Sequence, residues 1–196
     1  MKIGNNNMRY LSGSLKSKIK HYLKQGGIIA YPTESCFGLG CLPQHIKALK
    51  KIIHLKKRPA HKGLIVIGNN IYQFRRIIAK INQQEKQLLN QQWQQKNATT
   101  YLLPTNKQVL PILRGRGRQL IAVRLPKHNG ARAICSQLNT ALVSTSANRS
   151  HQKPCRNTRE AQRIFGKQVL VIKGLIGKQN KPSTIIDWQS KKIIRN

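Results

Sequence analysis

The sequence predicts an α/β (α+β) fold, a sheet with helices on its faces, and three observations carry that expectation. Short apolar runs of strand length alternate with segments whose apolar residues recur at helical spacing. The 196 residues are 39% apolar and only 21% charged, enough to bury a core and unlike a disordered basic chain. No repeat of fixed period and no long linker divides them, so one domain over 1–196 is expected.

The elements follow in order. Leu15, Ile19, Tyr22 and Leu23 share one helical face, and Gly26-Gly27 ends that first helix. Ile28 to Tyr31 is a short strand running into Pro32. Ala48, Leu49, Ile52, Ile53 and Leu55 form the buried stripe of a second helix. It stops at Arg58-Pro59, because proline lacks an N–H and disfavours helical geometry in the residue before it. Leu64 to Ile67 is the next strand, and Ile71 to Ile81 and Glu85 to Trp93 read as helices, with a glutamine-rich stretch around Trp93. Strands are then expected at Thr99–Leu103, Leu120–Leu125, Leu142–Ser144, Val169–Ile172, Thr184–Ile186 and Lys192–Ile194. Helices near Ala131–Leu138 and Thr158–Phe165 separate some of them, and the Gly130 region and Arg149–Arg156 are expected as exposed loops.

Charge excludes several kinds of chemistry. With 37 Lys and Arg against 4 Asp and Glu, the chain carries +33 and has too few acids for a carboxylate metal cluster or a paired-carboxylate hydrolase. Two readings of the excess stay open. One is a polyanionic partner, above all RNA, since surface cations gain affinity by releasing condensed counterions. The other is basic drift in a chain rich in Lys, Asn and Ile. Two acids, Glu85 and Glu160, sit in Asn-x-x-Glu patterns that suit helix capping boxes, whereas Glu34 and Asp187 call for another explanation.

Other candidates read as structural. The cysteines at 36, 41, 135 and 155 form no CxxC pair, so a zinc ribbon or redox motif has no support, and Cys36 and Cys41 are expected as small buried hydrophobes. None of the six histidines has metal spacing; His54 is expected to be partly buried, and His61 and His151 to lie in loops. Arg114-Gly-Arg-Gly-Arg118 fits either an RNA-touching segment or a solvated loop. No apolar run approaches the length of a membrane span and no signal-peptide core is visible, so a cytoplasmic protein with reduced thiols is expected.

Three apolar strands run into turns rich in hydroxyls: Pro32-Thr-Glu-Ser35, Ser144-Thr-Ser-Ala-Asn148 and Pro182-Ser-Thr184. Hydroxyls and free N–H groups beyond strand ends can cradle an anion, although each turn alone also fits ordinary turn chemistry. Lys56-Lys57-Arg58, Lys62 and Arg124 supply cations. Arg124 lies within an apolar strand and needs an anionic partner or an exposed face. With so few carboxylates in the chain, a bound phosphate or carboxylate is the expected partner.

At these residues the chain resembles a known family. Gly27-Ile-Ile-Ala-Tyr-Pro-Thr-Glu-Ser-Cys-Phe-Gly-Leu-Gly-Cys41, Leu55-Lys-Lys-Arg-Pro-Ala-His-Lys-Gly-Leu-Ile65, Ala122-Val-Arg-Leu-Pro126, Leu142-Val-Ser-Thr-Ser-Ala-Asn148 and Pro182-Ser-Thr-Ile-Ile-Asp187 look like the ordered signatures of the YrdC/TsaC family, threonylcarbamoyl-AMP synthases, in its short single-domain branch. The resemblance implies an open twisted mixed sheet flanked by helices, with a core from about 15 to 195. It implies that L-threonine, bicarbonate and ATP give threonylcarbamoyl-adenylate and diphosphate. That product feeds a downstream threonylcarbamoyl-transferase machinery that modifies adenosine 37 of ANN-decoding tRNAs.

Carried over residue by residue, the resemblance assigns Thr33, Arg124, Ser144 and Ser183 to threonine, with Glu34 shaping the turn. It assigns Lys56, Arg58, Lys62, Ser146, Asn148 and Arg195 to ATP, Lys56 and Arg58 being the catalytic cations, with Mg²⁺ carried by the nucleotide and no protein metal site. The chain departs from the family in three places. Ile67 stands where longer relatives have a histidine, Trp93-Gln-Gln-Lys-Asn-Ala-Thr-Thr100 replaces a Trp-Pro-Gly-Pro turn, and Asn148-Arg-Ser-His151 replaces a Ser-Gly ending. The alternative is a non-catalytic RNA-binding or ribosome-maturation protein using the same basic concave surface. A carbamoyl-transfer relative in hydrogenase maturation is disfavoured for want of acylphosphatase and zinc-finger segments.

Overall fold

The computed structural model describes residues 11–59, 62–95, 98–179 and 182–195. Helix α1 (Gly13–Lys24) starts where Ser12 Oγ accepts from Leu15 N–H, and buries Ile19 and Leu23. Strands β1 (Ile29–Pro32) and β2 (Phe37–Gly40) form a hairpin, closed where Thr33 N–H and Thr33 Oγ both donate to the Cys36 carbonyl, at 3.0 and 2.7 Å. Helix α2 (Ile46–Lys56) ends as Lys57 turns left-handed at φ 47°, ahead of Pro59.

Strand β3 (Ile65–Ile67), helix α3 (Gln83–Gln94), strand β4 (Thr99–Pro104), a one-turn helix α4 (Pro111–Arg114) and strand β5 (Leu120–Arg124) follow. The second half holds α5 (Asn129–Leu138), β6 (Leu142–Ser146), α6 (Thr158–Phe165), β7 (Leu170–Val171), β8 (Thr184–Asp187) and β9 (Ile193–Arg195). The strands make one mixed sheet in the order β7-β1-β2-β6-β3-β5-β4-β8-β9. Its neighbours are parallel at β1/β7, β3/β5 and β4/β8 and antiparallel elsewhere.

Alternation along the strands divides the core in two. Ala30, Phe37, Leu39, Val66, Tyr101, Leu103, Ile121, Val123 and Val143 join one cluster with Ala48, Leu49 and Ile52 of α2, Leu89 and Trp93 of α3 and Phe165 of α6. Ile29, Tyr31, Ile67 and Leu142 face the other way, onto Ile19 and Leu23 of α1 and Ile134, Cys135 and Leu138 of α5. The second cluster is smaller, and next to it, on the same face, the strands carry Gly38, Ser144, Ser146 and Arg124.

Several expectations need correction. Ile71–Ile81 is not a helix: one 3₁₀ turn over Ile71–Phe74 is followed by an irregular edge. There Ala79 N–H donates to Pro104 O and Ile77 O accepts from Asn106 N–H, so pairing with the chain around β4 outcompetes helical bonds. Strand β2 was not expected, since Phe-Gly-Leu-Gly has few residues of high strand propensity. The glycines are required by packing: a Cβ at Gly40 would lie 2.6 Å from the Val143 carbonyl oxygen and 2.8 Å from the Tyr31 ring. Helix α4 was also not expected. Gly130 is buried in the first turn of α5 rather than exposed in a loop, and His54 is exposed rather than partly buried.

The acids behave locally. Asn82 and Glu85 close the capping box of α3, and Asn157 Oδ1 accepts from Glu160 N–H at the start of α6. The Glu160 carboxylate accepts from Arg156 N–H and the Asn157 side-chain amide, and does not return to the cap's own N–H. Asp187 Oδ1 accepts from Gln189 and Ser190 N–H and so builds the β8–β9 turn. All four cysteines are buried and free.

The glycine contact yields a stability test. Gly40→Ala is expected to destabilise the protein by about 1–3 kcal/mol in urea unfolding, as overpacked sites do, with no change in fold by circular dichroism.

Candidate active site

The open part of that second face is a cleft of about 180 Å³ at the ends of β5 and β6 and the start of β2. Its floor is Gly38, Ile65, Ser144 and Ser146; the β1–β2 turn (Thr33, Glu34, Ser35, Cys36) forms one wall. Arg58, Arg124 and Arg195 converge from the loop after α2, from β5 and from β9, and Gln179, Pro182 and Ser183 close the remaining side. Gly38 keeps the floor low, since a Cβ there would stand 3.2 Å from the Thr33 methyl and 3.3 Å from Ser144 Oγ.

Arg124 has an anionic partner within the protein, where a bound phosphate or carboxylate was the expected one. Its Nη2 lies 3.3 Å from Glu34 Oε2, with both side chains nearly buried. Glu34 Oε1 accepts from Lys127 N–H at 2.7 Å. Arg124 Nε is buried with no hydrogen-bond partner, so the guanidinium retains an unsatisfied donor.

Lys56 stands behind the cleft wall rather than in it. Its ammonium donates to the carbonyls of Ser146 and Asn148, and to Asn148 Oδ1 at 2.9 Å. Asn148 Oδ1 also accepts from Ser146 Oγ, while its amide donates to the carbonyls of Arg149 and Gln152. Burial first, and the nearby Arg58 charge second, lower the Lys56 pKa to about 8. Arg58 is fixed by donating from Nε to Lys62 O and from Nη2 to Gly63 O at 2.7 Å. Burial lowers its pKa, with the charges of Arg195 and Arg118 adding to the effect. Burial and then the Arg124 charge lower that of Arg195 as well. Arg195 thus repels both Arg58 and Arg124 across the space they share.

Ser183 Oγ pairs with Thr100 Oγ at 2.8 Å, and the Ser183 carbonyl accepts from Arg195 Nη2 at 2.9 Å. Of the residues assigned from sequence, Thr33, Arg58, Arg124, Ser144, Ser146, Ser183 and Arg195 line the cleft. Lys56 and Asn148 form the layer that holds the β6 end. The Lys62 side chain is exposed outside the wall, and only its carbonyl takes part, through Arg58. Cys36, Gly38, Thr145 and Gln179 were missed. Gly38 and Thr145 lie within segments already singled out, but Gln179 has no local signal, because the chain brings it from the far side of the sheet.

The departures are absorbed by packing. Ile67 is fully buried in the core under the sheet. Trp93 is buried, donating from Nε1 to Thr99 O and lying between Phe74 and Tyr101 at ring separations of 6.1 and 5.8 Å. His151 takes a left-handed turn at φ 65° and is exposed. His61 lies outside the described residues.

A larger cavity of about 290 Å³ opens at the opposite end of β6, between Arg75, Arg76, Asn70 and Asn139. Its arginines are exposed and no buried hydroxyls converge there, unlike in the smaller cleft. Among the described residues no helix is long and apolar enough to cross a membrane, and no cluster of three His, Cys, Asp or Glu is placed to hold a metal. The one carboxylate on the cleft wall, Glu34, is already taken up by Arg124 and Lys127 N–H, so the residues present do not suit a protein-held Mg²⁺.

Fold and cleft define a class: an open mixed sheet of YrdC-like topology whose central strands end at a cleft lined by arginines and hydroxyls. Comparison with known proteins agrees. Residues 21–196 match the Sua5/YciO/YrdC family, described as "Telomere recombination", and the chain belongs to that family. It is 48% identical over 187 residues to the threonylcarbamoyl-AMP synthase of Neisseria meningitidis serogroup A, covering 95% of this chain and 98% of that protein. It is 43% identical to that of Chromobacterium violaceum over the full length of both. Among solved structures, P. abyssi Sua5 complexed with L-threonine superposes with a TM-score of 0.79 at 26% identity, covering 91% of this chain and 53% of that one. The chain thus spans about half of that longer protein. E. coli YciO shares the fold, with a TM-score of 0.77 at 23% identity over 94% and 90% of the two chains.

Lys56 predicts a signature in stability. Its folded pKa of about 8 lies below the ordinary 10.5, so between these values the unfolded chain binds more protons and folding stability rises with pH. Urea unfolding of the wild type is expected to strengthen across that window more than that of Lys56→Met, which lacks the titration.

Proposed function

We propose that this protein is a threonylcarbamoyl-AMP synthase, converting L-threonine, bicarbonate and ATP to threonylcarbamoyl-adenylate and diphosphate. The observation that carries the reading is the convergence of Arg58, Arg124 and Arg195 on a hydroxyl-lined cleft where Glu34, the one carboxylate among its described residues, is already paired. Full-length identity to proteins of that name supports it.

Chemistry assigns the parts. The threonine amine adds to the carbon of bicarbonate, water leaves, and a carbamate forms. A carbamate oxygen then attacks the α-phosphorus of ATP and diphosphate departs. No side chain must become covalently attached; the work is positioning and charge compensation. Arg124, whose side chain lines the cleft, binds the threonine carboxylate, with Glu34 holding the guanidinium in place. Thr33, Ser144 and Ser183 present hydroxyls or carbonyls to the threonine amine and side chain. Arg58 and Arg195 take the phosphates, with Ser146 at the nucleotide end. Lys56 acts from behind, fixing Ser146 and Asn148 and adding positive potential. Mg²⁺ enters with the nucleotide.

A single YrdC-like domain suffices for these steps. In the cell the product serves threonylcarbamoylation of adenosine 37 in ANN-decoding tRNAs through a downstream transferase machinery, with the enzyme in the cytoplasm. The basic surface gives tRNA or other RNA a place to bind. The second reading, an RNA-binding protein without catalysis, does not account for the convergence of Arg58, Arg124 and Arg195 on a concave cleft too small for a polynucleotide.

The deciding experiment supplies purified protein with ATP, threonine and bicarbonate and measures diphosphate and adenylate. Folded protein that binds RNA yet shows no turnover refutes the enzyme. Arg58→Ala is expected to lower kcat/KM by ~100-fold or more, the scale of losing a charge-stabilising donor, whereas Arg116→Ala on an exposed loop leaves it within about two-fold. Equal losses would mean that the charge acts diffusely. For the wild type, kcat/KM is expected to fall as pH rises through about 8, where free-enzyme Lys56 loses its proton. The fall in kcat should come at higher pH, because bound phosphates stabilise the ammonium.

A further inference from the structure

The sheet order forces one connection across the cleft. Strand β7 is at one edge and β8 lies next to the other, so the chain between Val171 and Thr184 must pass over the ends of the strands between them. Ile172 N–H donates to Ala30 O, which continues the β1 pairing. Gly177 N–H then donates to Thr33 O at 2.9 Å and Gln179 N–H to Glu34 O at 3.1 Å. This segment, 174–179, is a strap lying on the β1–β2 turn, and it carries Gln179 into the cleft wall. It sits close: a Cβ at Gly177 would be 2.7 Å from the Glu34 carbonyl oxygen.

The strap is anchored at Gly174 by Thr158 Oγ and at Ile176 by packing against the core, whereas the Leu175 side chain between them is 89% exposed. At Leu175 the contact is polar. His128 Nε2 lies 2.9 Å from the Leu175 carbonyl oxygen, and His128 Nδ1 accepts from Ala131 N–H at 3.2 Å as the N-cap of α5. With Nδ1 accepting, Nε2 is the protonated nitrogen and donates to the strap. One ring therefore joins the start of α5 to the strap, while the preceding residue, Lys127, donates its N–H to Glu34 in the turn beneath.

We propose that His128 is a positioning residue for the amino-acid end of the cleft, holding the 174–179 strap on the Thr33–Glu34 turn so that Thr33 and Gln179 keep their places. The inference rests on the reading that this end takes L-threonine, and it gives His128 no contact with the reacting atoms. Capping alone would be a local matter of helix stability. The contact with Leu175 links it to substrate affinity.

Substitution can separate the two roles of the ring. In His128→Asn the shorter side chain still caps α5, asparagine being a favoured N-cap, but cannot reach Leu175. Losing one such hydrogen bond corresponds to roughly a 3- to 10-fold change in an equilibrium constant. The expected result is a rise of that size in KM for L-threonine and in its Kd by calorimetry. The kcat and the KM for ATP should stay within about two-fold, with an unchanged urea midpoint. An unchanged threonine KM and Kd overturns the proposal.

Should His128→Asn also lose stability, Gly177→Ala decides, because it lifts the strap while leaving the ring intact. A selective rise in threonine KM then supports the proposal, and unchanged threonine kinetics overturn it. Wild-type protein that neither binds L-threonine nor releases diphosphate refutes the underlying enzyme reading. An active wild type with a silent His128→Asn refutes this inference alone.

Discussion

The buried pair of Glu34 and Arg124 is the constraint on which the site's geometry depends. Arg124 comes from β5, while Glu34 belongs to the turn between β1 and β2, and β5 stands three places from β2 in the sheet. The Glu34 carboxylate also accepts Lys127 N–H at the approach to α5, and its carbonyl accepts Gln179 N–H from the strap. One residue therefore fixes the relative positions of three segments that are distant in sequence. Removing one member of such a pair leaves a buried charge alone and costs about 3–5 kcal/mol, so the geometry is enforced by the penalty for breaking it.

That arrangement changes the meaning of the scarcity of acids. Four carboxylates face 37 cationic side chains, and none serves as a diffuse counter-charge on the surface. Three of the four accept backbone N–H groups at helix starts or at the β8–β9 turn, and Glu34 accepts one beside its ion pair. Acids are kept where no cation could replace them. Arg58 and Arg195 are consequently left without a carboxylate partner among the described residues, and their mutual repulsion is relieved by whatever anion enters the cleft.

Helices with a clear apolar stripe were legible in the sequence, as α1, α2, α5 and α6 show, because there the 3.6-residue period matches the face that packs on the sheet. The capping pattern at Asn82 was legible too, being local. Ile71–Ile81 failed because Ile71, Phe74, Ile77 and Ile78 repeat at helical spacing, yet their backbone finds partners on the chain around β4. Strand β2 failed for the opposite cause: its glycines reflect the proximity of Val143 and Tyr31, which no local pattern reveals. In the site, the cationic and hydroxyl residues could be named from their signatures. The Arg124 partner and the place of Lys56 could not, since both follow from long-range pairing.

The position of Lys56 shows how the fold separates two uses of positive charge. A lysine on the surface is hydrated and screened beyond about 8 Å at physiological ionic strength, so its pull on an anion is long-ranged only in dilute salt. Lys56 is 4% exposed and tied to three or more oxygens of the Ser146–Asn148 segment. Its field reaches the cleft through protein rather than through water, where the effective dielectric is lower. The same burial that lowers its pKa makes each unit of charge count for more. The large surface excess therefore suits gathering of polyanions, whereas in the proposed reading orientation of a small anion in the cleft falls to a few desolvated cations whose positions are fixed by hydrogen bonds.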